Sequence, residues 1–457
     1  MKFIALLMFF TSLSMASGAL QGGEHESLVG TWVGIVSLAI FIVGYYFIAT
    51  EEKYEINKAK PALFTGTFIF MLIGIYYAIN GLDVEPLHDE MELLILEIAQ
   101  IYFFLLVAMT FIETMIERNI FDVLKYNLVS RGYTYKKLFW LTGLLAFFIS
   151  PVADNLTTAL ILSTVLFTID KTNKEFLVLG AINIVVAANA GGAWSPFGDI
   201  TTLMAWSAGK GAFGDFLALF PASIIGWVIT AWLLSKFIPE GQPDFSAETD
   251  KKEQLKPGAK VIIYLGVATI ATAVLGHQFF HFPAMWGMMF GLAVLKLYSF
   301  QLRHTASEDE TFDVFVNMKK LENDTLLFFF GILAAVGGLH YIGFLEYIVK
   351  LYDVIGPTAG NMGVGFISAV VDNVPVMAAI LKANPVMGLD QWLLVTLSAG
   401  IGGSMISFGS AAGVGVMGRL RGIYTFGTHM KYAWTILIGY AASMIIWYTQ
   451  FQILGWY

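Results

Sequence analysis

The stretch Ser150-Pro-Val-Ala-Asp154-Asn155-Leu-Thr157-Thr158-Ala159 places a proline, an acid, an amide and hydroxyls inside an otherwise apolar segment, residues 137–169. A segment of this length and composition is typical of a membrane protein. Charge at bilayer depth is costly, so an acid in such a segment marks a functional site by default. We therefore expect Asp154 and its neighbours to take part in the activity of the protein.

The same pattern occurs a second time. Ser368-Ala-Val-Val-Asp372-Asn373-Val-Pro375 keeps the serine four positions before the Asp-Asn pair. Each copy precedes a glycine-rich polar break, Asn189-Ala-Gly-Gly-Ala-Trp-Ser-Pro-Phe-Gly-Asp199-Ile-Thr201-Thr202 and Gly402-Gly-Ser404-Met-Ile-Ser407-Phe-Gly-Ser410, in which Gly-Gly and Phe-Gly align without a gap. Two elements in the same order predict an internal duplication, which is common in transporters.

The composition also indicates a membrane protein. Of 457 residues, 57% are hydrophobic and 13% charged, which predicts an all-α polytopic membrane protein rather than a soluble domain. The chain has no cysteine, which excludes disulfides and thiol chemistry. Residues 1–20 combine Lys2, a short apolar run and small residues, the layout of a signal peptide, with an extra N-terminal span as the alternative.

Apolar segments follow one plan in both halves: three spans, an interrupted stretch, a broken span and a final span. In the first half, 29–238, the segments are 29–50, 60–80, 92–117, 137–169, 176–207 and 213–238. After a polar cytoplasmic linker, 239–258, the second half, 259–457, contains 259–276, 282–299, 324–349, 360–382, 389–417 and 432–455. As one helix, 176–207 would span about 48 Å against a hydrocarbon core of roughly 30 Å, so we expect it to unwind at its glycines.

Basic residues predict the path of the chain. The connections 51–60, 118–137, 170–175, 236–260, 296–323 and 418–431 hold 22 of the 26 Lys and Arg residues, a strong positive-inside signal. Both flanks of 137–169 are then cytoplasmic, so this stretch must enter the membrane and return. The second copy lies between Lys350 and Lys382, on the outer side by the same count. Each half therefore has five true spans and a re-entrant hairpin, and the two halves form an inverted repeat.

Oxygen-bearing side chains cluster at these interruptions. Asp154 shares a helix face with Thr157 and Thr158, and such oxygen clusters suit hard cations. The candidate cation or proton site comprises Ser150, Asp154, Asn155, Thr157, Asn189, Asp199, Thr201, Thr202, Ser368, Asp372, Asn373, Ser404, Ser407 and Ser410. Two structural interpretations stay open: the acids and amides serve only as helix N-caps, or the glycines serve only close helix packing.

Three further acids lie in predicted spans. Glu97 and Glu113 in the third span and Glu346 in the ninth could relay protons or form scaffold ion pairs, and the sequence leaves both roles open. The seven histidines lie outside the two hairpins, mostly in connections.

The motifs around Asp154, Asp199 and Asp372 closely resemble those of the NhaD-type sodium/proton antiporters of the ion-transporter superfamily. The resemblance covers nearly the whole chain. It implies a bacterial inner-membrane antiporter, not an enzyme, that exports Na⁺, with Li⁺ as a second candidate, in exchange for H⁺ at alkaline pH. No cofactor and no nucleic acid is implied, and the partners are the lipid bilayer and the two ions. The resemblance to related dicarboxylate carriers implies a homodimer. The hairpins of those carriers have neutral Ser-Asn-Thr motifs, whereas the hairpins of this chain have acids.

The chemistry of the residues supports the same activity. A buried carboxyl can hold a proton or Na⁺ in turn, and mutual exclusion at one site produces exchange. We expect Asp154 and Asp199, with Thr157 and Thr202, to bind Na⁺, and Asp372, with apolar neighbours, to favour a proton. The alternatives are a sodium-coupled symporter of a small organic anion and an intramembrane aspartyl protease. Three acids near the midplane would repel an anion, and a protease has no use for the inverted symmetry.

Overall fold

The structure, a computed structural model, describes residues 27–54, 56–243, 254–305, 311–321 and 323–456. Within these ranges the regular structure is helical and contains no strand. Eight helical segments of the described chain are long and apolar enough to cross a membrane. The prediction of an all-α polytopic membrane protein is therefore confirmed. The predicted leader, 1–20, and the linker residues 244–253 lie outside the described residues.

The helices follow the order of the predicted segments. In the first half they are α1 (Trp32–Ala49), α2 (Glu51–Tyr54), α3 (Ala59–Asn80), α4 (Glu85–Glu117), α5 (Ile120–Val129), α6 (Tyr135–Ala153), α7 (Asn155–Ile169), α8 (Lys174–Gly192), α9 (Ile200–Ser207), α10 (Phe213–Leu217) and α11 (Phe220–Leu234). In the second half they are α12 (Ala259–Phe280), α13 (Ala284–Thr305), α14 (Val314–Lys319), α15 (Asn323–Ile342), α16 (Glu346–Ile355), α17 (Pro357–Val371), α18 (Asn373–Ala383), α19 (Leu389–Gly402), α20 (Ala411–Arg419), α21 (Phe426–Met430) and α22 (Ala433–Tyr448). Both predicted interruptions and both predicted breaks fall between helices.

The ninth predicted span, 324–349, is shorter than expected. α15 ends at Ile342, and Gly343 follows with φ 107°, a value that favours glycine and ends a helix. α16 then begins at Glu346, whose charge suits a helix N-terminus. The placement of Glu346 inside the ninth span was therefore wrong, because a glycine within an apolar run ended the helix before this acid.

The described chain divides into two compact units. Unit 1 contains the described residues up to 99, together with 323–360 and 378–386, and unit 2 contains the rest. Within unit 1, α3 packs on α15 so closely that a Cβ on Gly66 would collide with the carbonyl oxygen of Gly331. Small residues at this crossing let the two helix backbones approach, as in other membrane proteins.

Unit 2 contains both polar interruptions. α6 and α7 both pack on α8, and α20 packs on α7. A Cβ on Gly191 would collide with the carbonyl oxygen of Phe147, and one on Gly402 would collide with that of Gly365. The partners of these two contacts occupy matching positions in the two copies of the sequence repeat. The two copies therefore build the same local packing, and these glycines do serve close helix approach.

Candidate cation site

The chain leaves the helical conformation at the acid of each interruption. Asp154 separates α6 from α7 with φ 57°, and Asp372 separates α17 from α18 with φ 83°. Aspartate tolerates such left-handed values better than most residues. The carboxylate of Asp154 accepts hydrogen bonds from the backbone nitrogen and the hydroxyl of Thr157, each at 2.8 Å. Asp154 therefore caps α7, as the N-cap interpretation predicted.

Asp199, the N-cap of α9, lies at the centre of a larger polar cluster. Its carboxylate accepts hydrogen bonds from the backbone nitrogen of Thr201 at 2.9 Å, from Nδ2 of Asn155 at 2.7 Å and from Nδ2 of Asn373 at 3.0 Å. The two asparagines each follow the acid of an interruption, so they occupy matching places in the two copies. Capping alone would need neither of them, so the N-cap interpretation does not account for Asp199.

The carboxylate of Asp199 is isolated from basic side chains. Its side chain is only 3% exposed, and no lysine or arginine of the described chain forms an ion pair with it. A buried carboxylate without a compensating positive charge is strongly disfavoured. These surroundings favour either a proton on the carboxyl or a cation beside it.

Asn189 joins the two halves of the cluster. Its Oδ1 accepts a hydrogen bond from Asn155 at 3.0 Å, and its Nδ2 donates to the hydroxyls of Ser404 at 2.8 Å and Ser410 at 2.9 Å. Ser410 caps α20 with nearly the backbone angles that Asp199 has at α9, φ −148° against −149°. The polar break of the second half thus reaches the carboxylate of the first through two amides, Asn189 and Asn155.

Ser150 and Ser368, both members of the candidate site, form matching packing contacts. The hydroxyl of Ser150 donates to the carbonyl oxygen of Ala188 at 2.6 Å, and that of Ser368 donates to Ala399 at 2.7 Å. Both bonds tie an incoming arm to the helix that precedes a break. The protons of these hydroxyls are thus used in packing, and a role in ion binding stays a prediction for both.

The remaining hydroxyls fall into two classes. Oγ1 of Thr202 donates to the carbonyl oxygens of Ser195 at 2.8 Å and Asp199 at 2.7 Å, so it stabilises the break. Oγ1 of Thr158, Oγ1 of Thr201 and Oγ of Ser407 are buried without a hydrogen-bond partner in the described chain. A buried hydroxyl left without a partner is costly. These oxygens are therefore the better candidates for contact with a bound cation.

Replacing Thr201 and Thr202 separately should distinguish the two classes. Thr201→Val removes a buried hydroxyl beside the Asp199 carboxyl, so we expect on the order of a tenfold loss of apparent Na⁺ affinity with little change in thermal stability. Thr202→Val breaks two hydrogen bonds and should lower the melting temperature of the detergent-solubilised protein. Thr201→Ser, which keeps the hydroxyl, is the matched control. An unchanged Na⁺ dependence in Thr201→Val would remove Thr201 from the site.

The three acids outside the interruptions have different surroundings. Within unit 1, Oε2 of Glu97 lies 2.8 Å from Nζ of Lys382, and the Glu97 side chain is 54% exposed. This ion pair supports scaffold pairing over a relay for Glu97. Glu113 is half-buried on α4, and Glu346 is half-buried at the start of α16.

One buried polar residue, His429, belongs to none of the sequence motifs. It is fully buried and contacts the backbone of the second break.

Comparison with known proteins identifies a matching family and several relatives of this chain. The sequence model of the citrate transporter family matches residues 38–402. The chain is 43% identical to the Na(+)/H(+) antiporter NhaD of Vibrio cholerae, with 96% of each chain covered, and 43% identical to that of Alkalimonas amylolytica, with 96% of this chain and 94% of the relative covered. Sodium/proton antiporter 1 of Arabidopsis thaliana is 28% identical over 95% of this chain and 76% of its own. The chain therefore belongs to the citrate transporter family and, by its similarity over nearly its full length, to the NhaD-type sodium/proton antiporters.

Proposed function

We propose that this protein is a secondary antiporter of the bacterial inner membrane that exchanges Na⁺ for H⁺ at the Asp199 cluster. The observation that carries the proposal is the burial of the Asp199 carboxylate between Asn155 and Asn373, with no lysine or arginine paired to it in the described chain. The relatives that cover the chain almost completely are named Na⁺/H⁺ antiporters.

The exchange follows from the charge of the site. The Asp199 carboxyl is neutral when it holds a proton, and it is balanced when Na⁺ replaces that proton. Na⁺ and H⁺ exclude each other at this carboxyl. Each time the site moves from one side of the membrane to the other, it therefore carries one of the two ions. Hydroxyl oxygens such as those of Thr201 and Ser407 supply the ligands that a small hard cation prefers. Asp154 and Asp372 lie near enough for their charges to act on Asp199.

Proton release driven by Na⁺ tests this function. Everted membrane vesicles or proteoliposomes containing the protein are acidified, and a pH-sensitive dye reports the proton movement when Na⁺ is added without any organic anion. We expect dequenching with Na⁺ and none with choline. If the addition of Na⁺ causes no proton movement, the proposal is overturned.

A sodium-coupled symporter of a small organic anion is the second candidate, favoured by the description of the matching family as a citrate transporter. The burial of Asp199 and Asp372 argues against it, because two buried carboxyls in one unit would repel a carboxylate substrate. Na⁺-dependent uptake of labelled citrate, without proton counterflow, would favour this candidate over exchange.

We further propose that 29–238 and 259–457 are inverted repeats joined by a cytoplasmic linker, 239–258, and that α6 with α7 and α17 with α18 are re-entrant hairpins. Contacts that recur at matching positions of the two copies, such as Ser150 to Ala188 and Ser368 to Ala399, support a duplication. Non-helical backbone at Asp154 and Asp372 suits hairpin tips buried in protein.

Single cysteines should read out this topology directly, since the native chain has none. Ser130→Cys and Thr172→Cys flank the first hairpin at exposed positions and should both react with an impermeant thiol reagent from the cytoplasmic side. Asp83→Cys and Ala208→Cys, also exposed, should react from the outside. Labelling of Ser130→Cys and Thr172→Cys from opposite sides would contradict the re-entrant hairpin.

A further inference from the structure

The two glycine-rich breaks are stabilised in different ways. In the first break, the hydroxyl of Thr202 donates to the carbonyl oxygens of Ser195 and Asp199, and the hydroxyl of Ser195 donates to that of Pro151 at 2.9 Å. The side chains of this break therefore satisfy carbonyl oxygens of the break itself and of the hairpin arm beside it. An unwound segment buried in protein needs such partners, because free carbonyls there are costly.

The second break lacks these side chains. When the Gly-Gly and Phe-Gly pairs of the two breaks are aligned, Gly413 stands in the place of Thr202, and Ile406 in the place of Ser195. A Cβ on Gly413 would collide with the carbonyl oxygen of Ser407, so the backbone is too close there for any side chain. The carbonyl oxygens of Ile406 and Ser410 accept from the backbone nitrogens of Gly409 and Val414. The carbonyl oxygens of Ser404 and Met405 instead face a donor from another part of the chain.

His429 supplies such a donor from α21. Its ring is fully buried, and Nε2 lies 3.0 Å from the carbonyl oxygen of Ser404 and 3.3 Å from that of Met405. Because carbonyl oxygens only accept, Nε2 carries the proton. Nδ1 then accepts from the hydroxyl of Tyr424, at 2.7 Å. These contacts select one neutral tautomer, and burial lowers the pKa of His429 to about 4, so the ring stays neutral at higher pH.

Hydrogen bonds connect this histidine to the carboxylate. The residue that His429 holds by its backbone, Ser404, accepts with its hydroxyl from Asn189 at 2.8 Å. Asn189 accepts from Asn155, which donates to Asp199 at 2.7 Å. A shift of the Ser404 backbone would therefore displace Asn189 and, through it, one of the amides that contact Asp199.

We propose that His429 is a positioning residue for the cation site, which holds the second break so that Ser404 presents its hydroxyl to Asn189. This inference rests on the proposed exchange function. His429 supports the second break from a distant helix, whereas Thr202 and Ser195 support the first break from within it. It carries no charge and contacts no transported ion.

The test is the Na⁺ dependence of exchange in variants of His429. His429→Ala should weaken the apparent Na⁺ affinity on the order of tenfold, with a maximal rate near that of the unmodified protein, because every acid of the site remains. His429→Gln keeps one donor and one acceptor and should recover most of the affinity. His304→Ala, at an exposed histidine of α13, is the matched control and should change nothing.

Tyr424→Phe provides an independent measurement if His429→Ala does not fold. Loss of the hydroxyl leaves Nδ1 without its donor and removes a contact that orients the ring, so the apparent Na⁺ affinity should fall severalfold. Where the unmodified protein exchanges Na⁺ for H⁺, an unchanged apparent Na⁺ affinity in a folded His429→Ala overturns the inference. If His429→Ala does not fold, an unchanged apparent Na⁺ affinity in Tyr424→Phe overturns it. Absence of exchange in the unmodified protein would instead refute the proposed function.

Discussion

Asp199→Asn is expected to abolish Na⁺-driven proton release at every pH tested. The amide cannot release a proton, and it cannot balance the charge of Na⁺, so both half-reactions are lost. The fold should persist, because asparagine caps a helix as well as aspartate and can still accept from the backbone nitrogen of Thr201. Its amide nitrogen replaces the oxygen that accepts from Asn155 and Asn373, so we expect a small fall in melting temperature beside the complete loss of transport.

Two measurements make this prediction specific. Asp353→Asn removes an exposed carboxylate on α16 and should leave exchange intact. Na⁺ should raise the melting temperature of the unmodified protein, since a ligand that binds only the folded state stabilises it. Asp199→Asn should lose this Na⁺-dependent increase. Exchange by a folded Asp199→Asn at a rate close to that of the unmodified protein would place the ion site elsewhere.

The second large effect concerns the acids of the two interruptions. Asp154→Asn should abolish exchange, whereas Asp372→Asn should retain some turnover with a shifted pH profile. The carboxylate of Asp154 lies beside the hydroxyl of Thr157, an oxygen that can join a cation site. The places that match Thr157 and Thr158 hold Pro375 and Val376, both buried and apolar. Surroundings of this kind favour a proton over a cation.

The two variants are measured side by side over a range of pH, with both Na⁺ dependence and maximal rate recorded. Asparagine also tolerates left-handed φ values such as those of Asp154 and Asp372, so both variants should fold. Robust exchange by Asp154→Asn would refute the assignment of Asp154 to the cation site. Equal loss in Asp154→Asn, Asp199→Asn and Asp372→Asn would indicate instead that the three acids act as one coupled unit.

The class of the protein and most of its helix ends could be predicted from the amino-acid sequence. Long apolar segments can only be membrane helices, and the residues that end them act locally. Proline removes a backbone donor, glycine permits close approach, and aspartate caps the next helix. The breaks at Asp154, Asp199 and Asp372 could therefore be predicted without knowledge of any distant contact. The exception, α15, ended at a glycine that an apolar run concealed.

The partners of the buried polar groups, in contrast, could not be predicted from the sequence, because they depend on how the helices pack. Sequence spacing could not indicate that Asn155 and Asn373 both donate to Asp199, or that Ser150 is used for packing on Ala188. Nor could it distinguish His429 from the other histidines of the connections, since nothing near it in sequence marks its contact with the second break. Helix ends depend on neighbours within one turn, whereas the partners of a buried hydrogen bond depend on how helices far apart in the chain pack together.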